Sequence, residues 1–158
     1  MTYQHLLSPG KIGNMELKNR IVLAAMGTEY AEKDGTCTER LWNYYEARAK
    51  GGTGLVILET SSAMWPNGNS MPRMVGFSED RFLPGLSELT ERVHRHGAKI
   101  AAQLNHSGKT AQDDVATGRP VWVPSIPEAK QGDMGAALTQ EEIATFVKAA
   151  GPDGKGAR

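Results

Sequence analysis

The chain has 158 residues, of which 39 % are hydrophobic, and its 18 Lys and Arg balance its 18 Asp and Glu. This length is typical of one domain, and the balanced charge argues against nucleic-acid binding. One cysteine, Cys37, excludes an internal disulfide and a Cys-ligated metal site. No apolar run approaches the roughly 18 residues of a membrane span, and the N-terminus lacks a signal-peptide pattern. We therefore expect a cytoplasmic protein with neither nucleic-acid nor membrane partners.

The first third of the chain predicts a hairpin, a strand and a helix. Residues 12–19 contain Gly-Asn at a turn position and predict the hairpin. The apolar run 21–25 predicts a strand buried on both faces. A polar loop leads to a helix that we expect to begin at a capping box of Thr36 and Glu39 and to end at residues 51–52, which are both glycine. Its apolar face carries Leu41, Trp42, Tyr45 and Ala49.

Two further strand and helix pairs follow. Residues 55–58 predict a buried strand, and Ser78 is the expected cap of a second helix that ends at Gly97. Residues 100–104 predict the third strand. After a long loop, a second capping box begins a third helix at Thr139. The apolar residues of this helix are Ile143, Phe146, Val147 and Ala150.

Alternating strands and helices predict a parallel sheet with helices packed outside it. The strand starts at residues 21, 55 and 100 fit either a doubly wound sheet or a (β/α) barrel. In both folds, ligands bind at the carboxyl ends of the strands. Residues 26–27, residues 59–60 and Gln103 stand at these ends. We therefore expect a binding site there.

Two of these positions suit a flat ligand. The amide of Gln103 offers one acceptor and two donors, which match the alternating donor and acceptor edge of a flavin pyrimidine ring. The alternative is a glutamine that bonds only loop backbone. Met26 beside Gly27 permits a flat ring to approach the backbone closely, although an ordinary strand end has the same sequence. Both interpretations stay open at this point.

Three other residues have a functional and a structural interpretation. His106 suits an acid–base group or a ligand donor, but a lone histidine is more often structural. Tyr30 suits a substrate contact, but an exposed loop tyrosine is commoner. Cys37 follows Thr36 at the expected helix start, where a thiolate is favoured, yet we interpret it as structural or incidental.

Four stretches, taken together, point to one family. They are residues 7–26 (LSPGKIGNMELKNRIVLAAM), 45–57 (YEARAKGGTGLVI), 103–109 (QLNHSGK) and 138–143 (LTQEEI). In order and spacing they resemble the Old Yellow Enzyme family, and more narrowly the NADH:flavin oxidoreductases similar to bacterial 2,4-dienoyl-CoA reductase. The resemblance covers about residues 5 to 150.

The resemblance implies a (β/α)8 barrel with FMN bound non-covalently at its carboxyl-end mouth. It implies that NADH or NADPH reduces the flavin, which then passes hydride to the activated C=C bond of a small-molecule alkene, such as an enone or enoyl ester. It places Tyr30 and His106 on the substrate side, with His106 and Lys109 supporting the site. It assigns to FMN the residues Ala24, Ala25, Met26, Gly27, Thr60 and Gln103.

The expected fold class is α/β, the N-terminal portion (a hairpin plus three βα units) of a (β/α)8 TIM barrel, because a complete barrel needs about 250 residues. Residues 1–150 would form the partial FMN-binding barrel, and residues 151–158 a tail outside the family pattern. The family's substrate-holding His pair and proton-donating tyrosine have no counterpart here. We therefore assign no catalytic residue and no metal, and expect a fragment that is inactive alone.

Two alternatives remain open. In the first alternative, the chain is a half-barrel assembly or binding module that another chain completes. This alternative includes a homo-oligomer, in which the second chain is another copy of the same one. In the second alternative, the chain is a different (β/α) enzyme that does not use FMN. Such an enzyme would need its own motif, and the sequence has no phosphate-loop motif and no histidines at metal-ligand spacing.

Overall fold

The computed structural model describes residues 3–125, 139–141 and 143–144. Its first elements are a short helix α1 (Gln4–Leu7) and an antiparallel hairpin of strands β1 (Gly10–Ile12) and β2 (Met15–Leu17). The predicted hairpin is therefore confirmed. Asn19, just after it, donates to the carbonyl of Gly52 at 2.7 Å. This bond fixes the hairpin at the end of the sheet where the strands begin.

A parallel sheet organises the rest of the described chain. Its central strand is β4 (Leu55–Ser62), which pairs along one edge with β6 (Lys99–Asn105). The other edge of β4 pairs near its start with β3 (Val22–Leu23) and at its end with β5 (Val75–Gly76). The helices are α2 (Glu39–Lys50), α3 (Leu83–Arg95) and a short α4 (Gln112–Ala116). This α/β arrangement is the one that the alternating sequence predicts.

The hydrophobic core lies between β4 and the helices α2 and α3. The predicted apolar face of α2 buries Leu41, Tyr45 and Ala49 fully and Trp42 in part. Val56 from β4 and Leu89 from α3 complete the contact. The 3.6-residue spacing in α2 thus determines which face of this helix meets the sheet.

The outer strands are far less buried than the sequence predicts. We expected β3 to be covered on both faces, but Val22 is 45 % exposed. On β6, the described neighbours leave Ala101 and Ala102 exposed and Leu104 47 % exposed. The reason is position, because β6 pairs with β4 on one edge and with no strand of the described chain on the other. An apolar sequence therefore predicts a strand that can be buried, but the neighbouring elements determine whether it is.

Two predicted helix caps are wrong. The cap of α2 is Thr38, whose hydroxyl accepts from the amide of Leu41 at 3.1 Å, whereas Thr36 bonds the carboxylate of Asp34. Ser78 does not cap α3, because its hydroxyl accepts from the amide of Trp65. A 3-10 turn at residues 80–82 leads directly into α3 instead. Several local acceptors compete for each helix start, and tertiary contacts select one of them.

The third predicted helix is described only in part. Residues 140–141 and 143–144 are helical, and the amide of Ile143 donates to the carbonyl of Thr139 at 2.9 Å. Phe146, Val147, Ala150 and the tail at 151–158 lie outside the described residues. In the described part of the chain, none of the helices is long and apolar enough to cross a membrane.

Candidate functional site

Thr60 and Gln103 meet where β4 and β6 near their carboxyl ends. They are register partners on the two strands, and the hydroxyl Oγ1 of Thr60 donates to Oε1 of Gln103 at 2.7 Å. Gln103 is exposed and Thr60 is half-buried. Within the described residues, the amide nitrogen of Gln103 has no protein partner, so it is the end of the side chain directed to solvent or a ligand. The structure thus brings together two of the residues predicted for FMN.

A β-bulge decides that these two residues face each other. Leu58 pairs with Ala102, but the next register pair joins Thr60 to Gln103. Glu59 is the extra residue, and in a regular ladder without the bulge Gln103 would lie opposite Glu59 instead of Thr60. A bulge of this kind re-aims the side chains around it. The sequence singled out the pair 59–60 at the strand end but gave no indication of the bulge.

The Glu59 side chain is fully buried against the inner side of α2. Its Oε2 accepts from the amide of Thr28 at 3.1 Å, from the Thr28 hydroxyl at 2.5 Å and from the Tyr45 hydroxyl at 3.1 Å. Tyr45 in turn accepts from the backbone amide of Glu59 at 2.9 Å. The other carboxylate oxygen, Oε1, is buried without a partner among the described residues. Glu59 therefore ties the segment after β3 to both β4 and α2.

Burial controls the protonation of this cluster. Desolvation raises the pKa of Glu59 above its ordinary value, although the hydrogen bonds from Thr28 and Tyr45 oppose the rise. Burial also raises the pKa of the nearby Cys37 thiol to about 12, with a further contribution from the charge of Glu59. The pKa of Tyr45 is raised for the same two reasons. Cys37 is thus a protonated packing residue, in agreement with the structural interpretation of its sequence.

The segment predicted to lie along the flavin runs across the carboxyl end of β3. Ala24 and Gly27 are exposed, Ala25 is half-buried and Met26 is 53 % exposed. Small side chains leave the backbone of this segment open to a flat ligand. The thioether of Met71 lies against the α-carbon of Gly27, where an added side chain would meet its terminal methyl group. A flat ligand over Gly27 would therefore require the flexible Met71 side chain to move.

The two residues predicted for substrate contact are held by protein neighbours. The ring of Tyr30 packs edge-on against Tyr44 with 5.7 Å between centroids, and the Arg40 guanidinium lies 3.7 Å from its centroid. The half-buried His106 lies against Gly68, where any β-carbon would clash with its ring, and its Nδ1 accepts from the Gly108 amide at 3.2 Å. Both contacts describe packing, and a substrate role for either residue stays a prediction.

Burial and charge act oppositely on His106. Desolvation lowers the pKa of its imidazole, and the nearby carboxylate of Asp114 opposes the shift. A neutral imidazole is favoured by this balance. Lys109, which the resemblance pairs with His106, is exposed.

One buried ion pair escaped the sequence analysis. Asp114 on α4 is fully buried, accepts from the amide of Gly68 at 2.7 Å, and accepts from Nε of Arg119 at 3.0 Å. The amide of Ser107 also donates to the carbonyl of Gly68 at 2.8 Å. These bonds join the loop after β4 to the loop after β6. An Asp and an Arg in a polar loop have no spacing that marks them as a buried pair, so no local pattern indicated it.

The residues present fit one end of a flavin. The exposed residues Ala24 and Gly27 follow the end of β3. The exposed amide of Gln103 on β6 is held by the hydroxyl of Thr60 on β4. These are the donors and acceptors that a pyrimidine edge needs. No group of three or more His, Cys, Asp or Glu in the described ranges is arranged to hold a metal ion. The donors and acceptors at these strand ends suit an organic ring held by hydrogen bonds.

Comparison with solved structures identifies the fold. The chain matches 2-naphthoyl-CoA reductase in complex with 2-naphthoyl-CoA with a TM-score of 0.83 and 26 % identity, over 94 % of this chain and 24 % of that one. It matches an Old Yellow Enzyme from a Pichia species with a TM-score of 0.78 and 27 % identity, over 92 % of this chain and 42 % of that one. The fold and site therefore define the N-terminal portion of a TIM-barrel oxidoreductase, as the resemblance predicted.

Sequence comparison gives the family. The chain belongs to the NADH:flavin oxidoreductase / NADH oxidase family, whose model matches residues 5–151. A related NADH oxidase from Thermoanaerobacter brockii is 37 % identical over 147 residues, which are 92 % of this chain and 23 % of the relative. The chain thus spans about a quarter of that relative's length.

Proposed function

We propose that this chain forms the part of an FMN site that holds the pyrimidine end of the flavin. The observation that carries the proposal is the hydrogen bond from Thr60 to Gln103, which holds an exposed amide at the carboxyl end of the sheet. When bound, FMN would supply a ring system that takes hydride from NADH or NADPH and passes it to an activated C=C bond. The reaction class is therefore ene-reduction of an enone or enoyl ester.

Each residue contributes binding rather than proton transfer. Gln103 would donate from its amide nitrogen to a ring carbonyl, with Thr60 fixing the orientation of the amide. Residues 24–27 would lie against the ring face, because the small side chains of Ala24, Ala25 and Gly27 leave the backbone within contact distance. Tyr30 and His106 are proposed to border the substrate side. None of these groups is placed as a proton donor, so the complete reaction needs residues beyond those assigned here.

The substrate would be a small molecule, and we propose the cytoplasm as the compartment. The pairing of a flavin site with one unpaired cysteine suits a reducing compartment. Because the chain spans about a quarter of the NADH oxidase and less than half of the Old Yellow Enzyme, the activity of a whole protein is proposed for the complete barrel only.

A flavin titration tests the proposal. FMN is added to the purified 158-residue chain, and quenching of flavin fluorescence is followed together with far-UV circular dichroism. We expect saturable binding to the folded wild-type chain and weaker binding to Gln103→Leu, which keeps the size of the side chain but removes the amide. Gln112→Leu, an exposed glutamine at the start of α4, is the matched control and should bind like the wild type. No saturable binding, or equal binding by Gln103→Leu, would reject the proposal.

A second candidate function is an assembly module that another chain completes. One observation favours it, namely that one edge of β6 pairs with no strand of the described chain and leaves Leu104 47 % exposed. An apolar groove of about 540 Å³ also lies between α3 and the first half of β6. Exposed parallel edges pair readily with a further strand. Sedimentation velocity tests this candidate. A folded monomer at all concentrations would exclude self-assembly, whereas a concentration-dependent dimer that Leu104→Lys abolishes would support it.

A further inference from the structure

Glu59 links the Thr60–Gln103 pair to the segment that directly follows residues 24–27. Its backbone forms the bulge that places Thr60 opposite Gln103. Its side chain holds the amide and the hydroxyl of Thr28, in the segment that follows residues 24–27. The two halves of the site come from β3 and from the pair β4 and β6, so their relative position depends on contacts of this kind.

The anchoring continues beyond Thr28. The Thr28 hydroxyl accepts from the amide of Tyr30 at 3.2 Å while it donates to Glu59. A single carboxylate oxygen thereby fixes the backbone of residues 28–30 through one direct and one relayed hydrogen bond. Charge-assisted hydrogen bonds are stronger than neutral ones. Residues 28–30 lie beyond β3, which ends at Leu23. Their backbone is therefore held by hydrogen bonds to Glu59 rather than by strand pairing.

The free-energy cost of burying a carboxylate indicates that Glu59 does more than fill space in the core. Glu59 is 0 % exposed and one of its oxygens has no partner among the described residues. A buried carboxylate opposes folding unless it is fully paired, and an apolar residue would fill this position between β4 and α2. A carboxylate here supplies what an apolar residue cannot, which is an acceptor for three converging donors.

We propose that Glu59 is a positioning residue that sets the spacing between residues 24–30 and the Thr60–Gln103 pair. The inference rests on the proposed function, because the ligand that needs this spacing is the flavin ring. The anchoring itself is a property of the chain without a ligand and is measurable on its own.

The test uses the full 158-residue chain and four variants. Glu59→Gln keeps the size of the side chain but weakens an acceptor that serves three donors. Thr28→Val removes the hydroxyl and keeps the shape, whereas Thr28→Ser keeps the hydroxyl. Thr90→Val removes a hydroxyl that bonds only within α3 and is the control. Two readouts are taken, namely amide hydrogen exchange of residues 24–31 in the FMN-free chain and the Kd for FMN.

We expect faster exchange at residues 24–31 and about tenfold weaker FMN binding in Glu59→Gln and Thr28→Val. Thr28→Ser and Thr90→Val should match the wild type in both readouts. Unchanged exchange in Thr28→Val overturns the anchoring, and this variant decides the matter if Glu59→Gln does not fold. Faster exchange with an unchanged Kd overturns the positioning role.

The two proposals fail in different ways. If the wild-type chain does not bind FMN, the proposed function is rejected and the positioning role with it, while the exchange data still establish or overturn the anchoring. If the wild type binds FMN but none of the Glu59 and Thr28 variants changes the Kd, the proposed function stands and the inference on Glu59 is wrong.

Discussion

The hydroxyl of Thr60 and the side-chain carbonyl of Gln103 are joined by a hydrogen bond of 2.7 Å across two parallel strands. The bond exists because a one-residue bulge at Glu59 shifts the register just before it. A free glutamine amide presents either end to a ligand, and this bond selects the amide nitrogen. Thr60 therefore fixes the side-chain carbonyl of Gln103 and leaves the amide nitrogen as the end that can donate to a ligand.

Removing the Thr60 hydroxyl should weaken FMN binding without unfolding the chain. In Thr60→Val the amide of Gln103 loses its fixed orientation, and one hydrogen bond of about 1 kcal/mol is lost. We expect a Kd for FMN about fivefold higher, measured by flavin fluorescence. Thr110→Val, which removes an exposed hydroxyl bonded only to the carbonyl of Ser107, should leave the Kd unchanged. An unaltered Kd in Thr60→Val would show that Gln103 needs no orienting partner.

The buried carboxylate of Glu59 should make stability depend on pH. Its folded-state pKa is raised above the ordinary 4.5 by desolvation. The contribution of its protonated form is therefore fully present below about pH 4.5 and is lost as pH rises through the folded pKa. Thr28 and Glu29 face Glu59 from the segment after β3. Cys37 faces it from the loop before α2, and Tyr45 faces it from α2 itself.

Urea unfolding of the wild type, Glu59→Gln and Glu46→Gln between about pH 3 and pH 8 measures this effect. The stability of the wild type relative to Glu59→Gln should fall as pH rises. Glu46→Gln is a control of opposite sign, because the hydrogen bond from His96 and the charge of Arg92 lower the pKa of Glu46. The stability of the wild type relative to Glu46→Gln should fall as pH decreases below about 4.5. A flat difference for Glu59→Gln would mean that this carboxyl keeps an ordinary pKa in the folded chain.

The thiol of Cys37 should react slowly in the folded chain. Burial and the charge of Glu59 raise its pKa to about 12, and only the thiolate is nucleophilic. We expect the reaction with a chromogenic disulfide at pH 8 to be slow in buffer and rapid in urea. Prompt reaction in native buffer, at the rate of the unfolded chain, would show that the loop before α2 opens freely.

Truncating Asp114 should destabilise the chain more than truncating its neighbour. Asp114 is fully buried and bonds both Gly68 and Arg119, so Asp114→Ala leaves the amide of Gly68 unpaired and leaves the half-buried Arg119 with Asp113 as its remaining acidic partner. We expect a loss of about 2 kcal/mol in the free energy of unfolding. Asp113, whose bond to Arg119 is more exposed, should cost about 1 kcal/mol when replaced by alanine. Equal losses in urea unfolding would contradict the role assigned to burial.

Much of the architecture was predictable from local pattern. The period of α2 identified its buried face, Gly-Asn identified the hairpin, and Gly97, with φ near +70°, ends the second helix unit as predicted. The alternation of strands and helices gave the α/β class and the end of the sheet where Gln103 and Thr60 meet. These features depend on residues close together in the chain, and their physical causes are backbone propensity and the spacing of apolar side chains.

The tertiary structure decided everything that depends on distant partners. It selected Thr38 over Thr36 as the cap of α2, exposed β6 because the described chain supplies no strand beyond it, and paired Asp114 with Arg119 and Gly68. Glu59 shows the reason most clearly. Its sequence neighbourhood is that of any strand end, and its role follows from a register shift and from Thr28, which lies 31 positions earlier in the chain. The sequence by itself predicted which residues lie at the strand ends, whereas long-range packing decided how they are held, because hydrogen bonds between distant segments leave no periodic trace in a sequence.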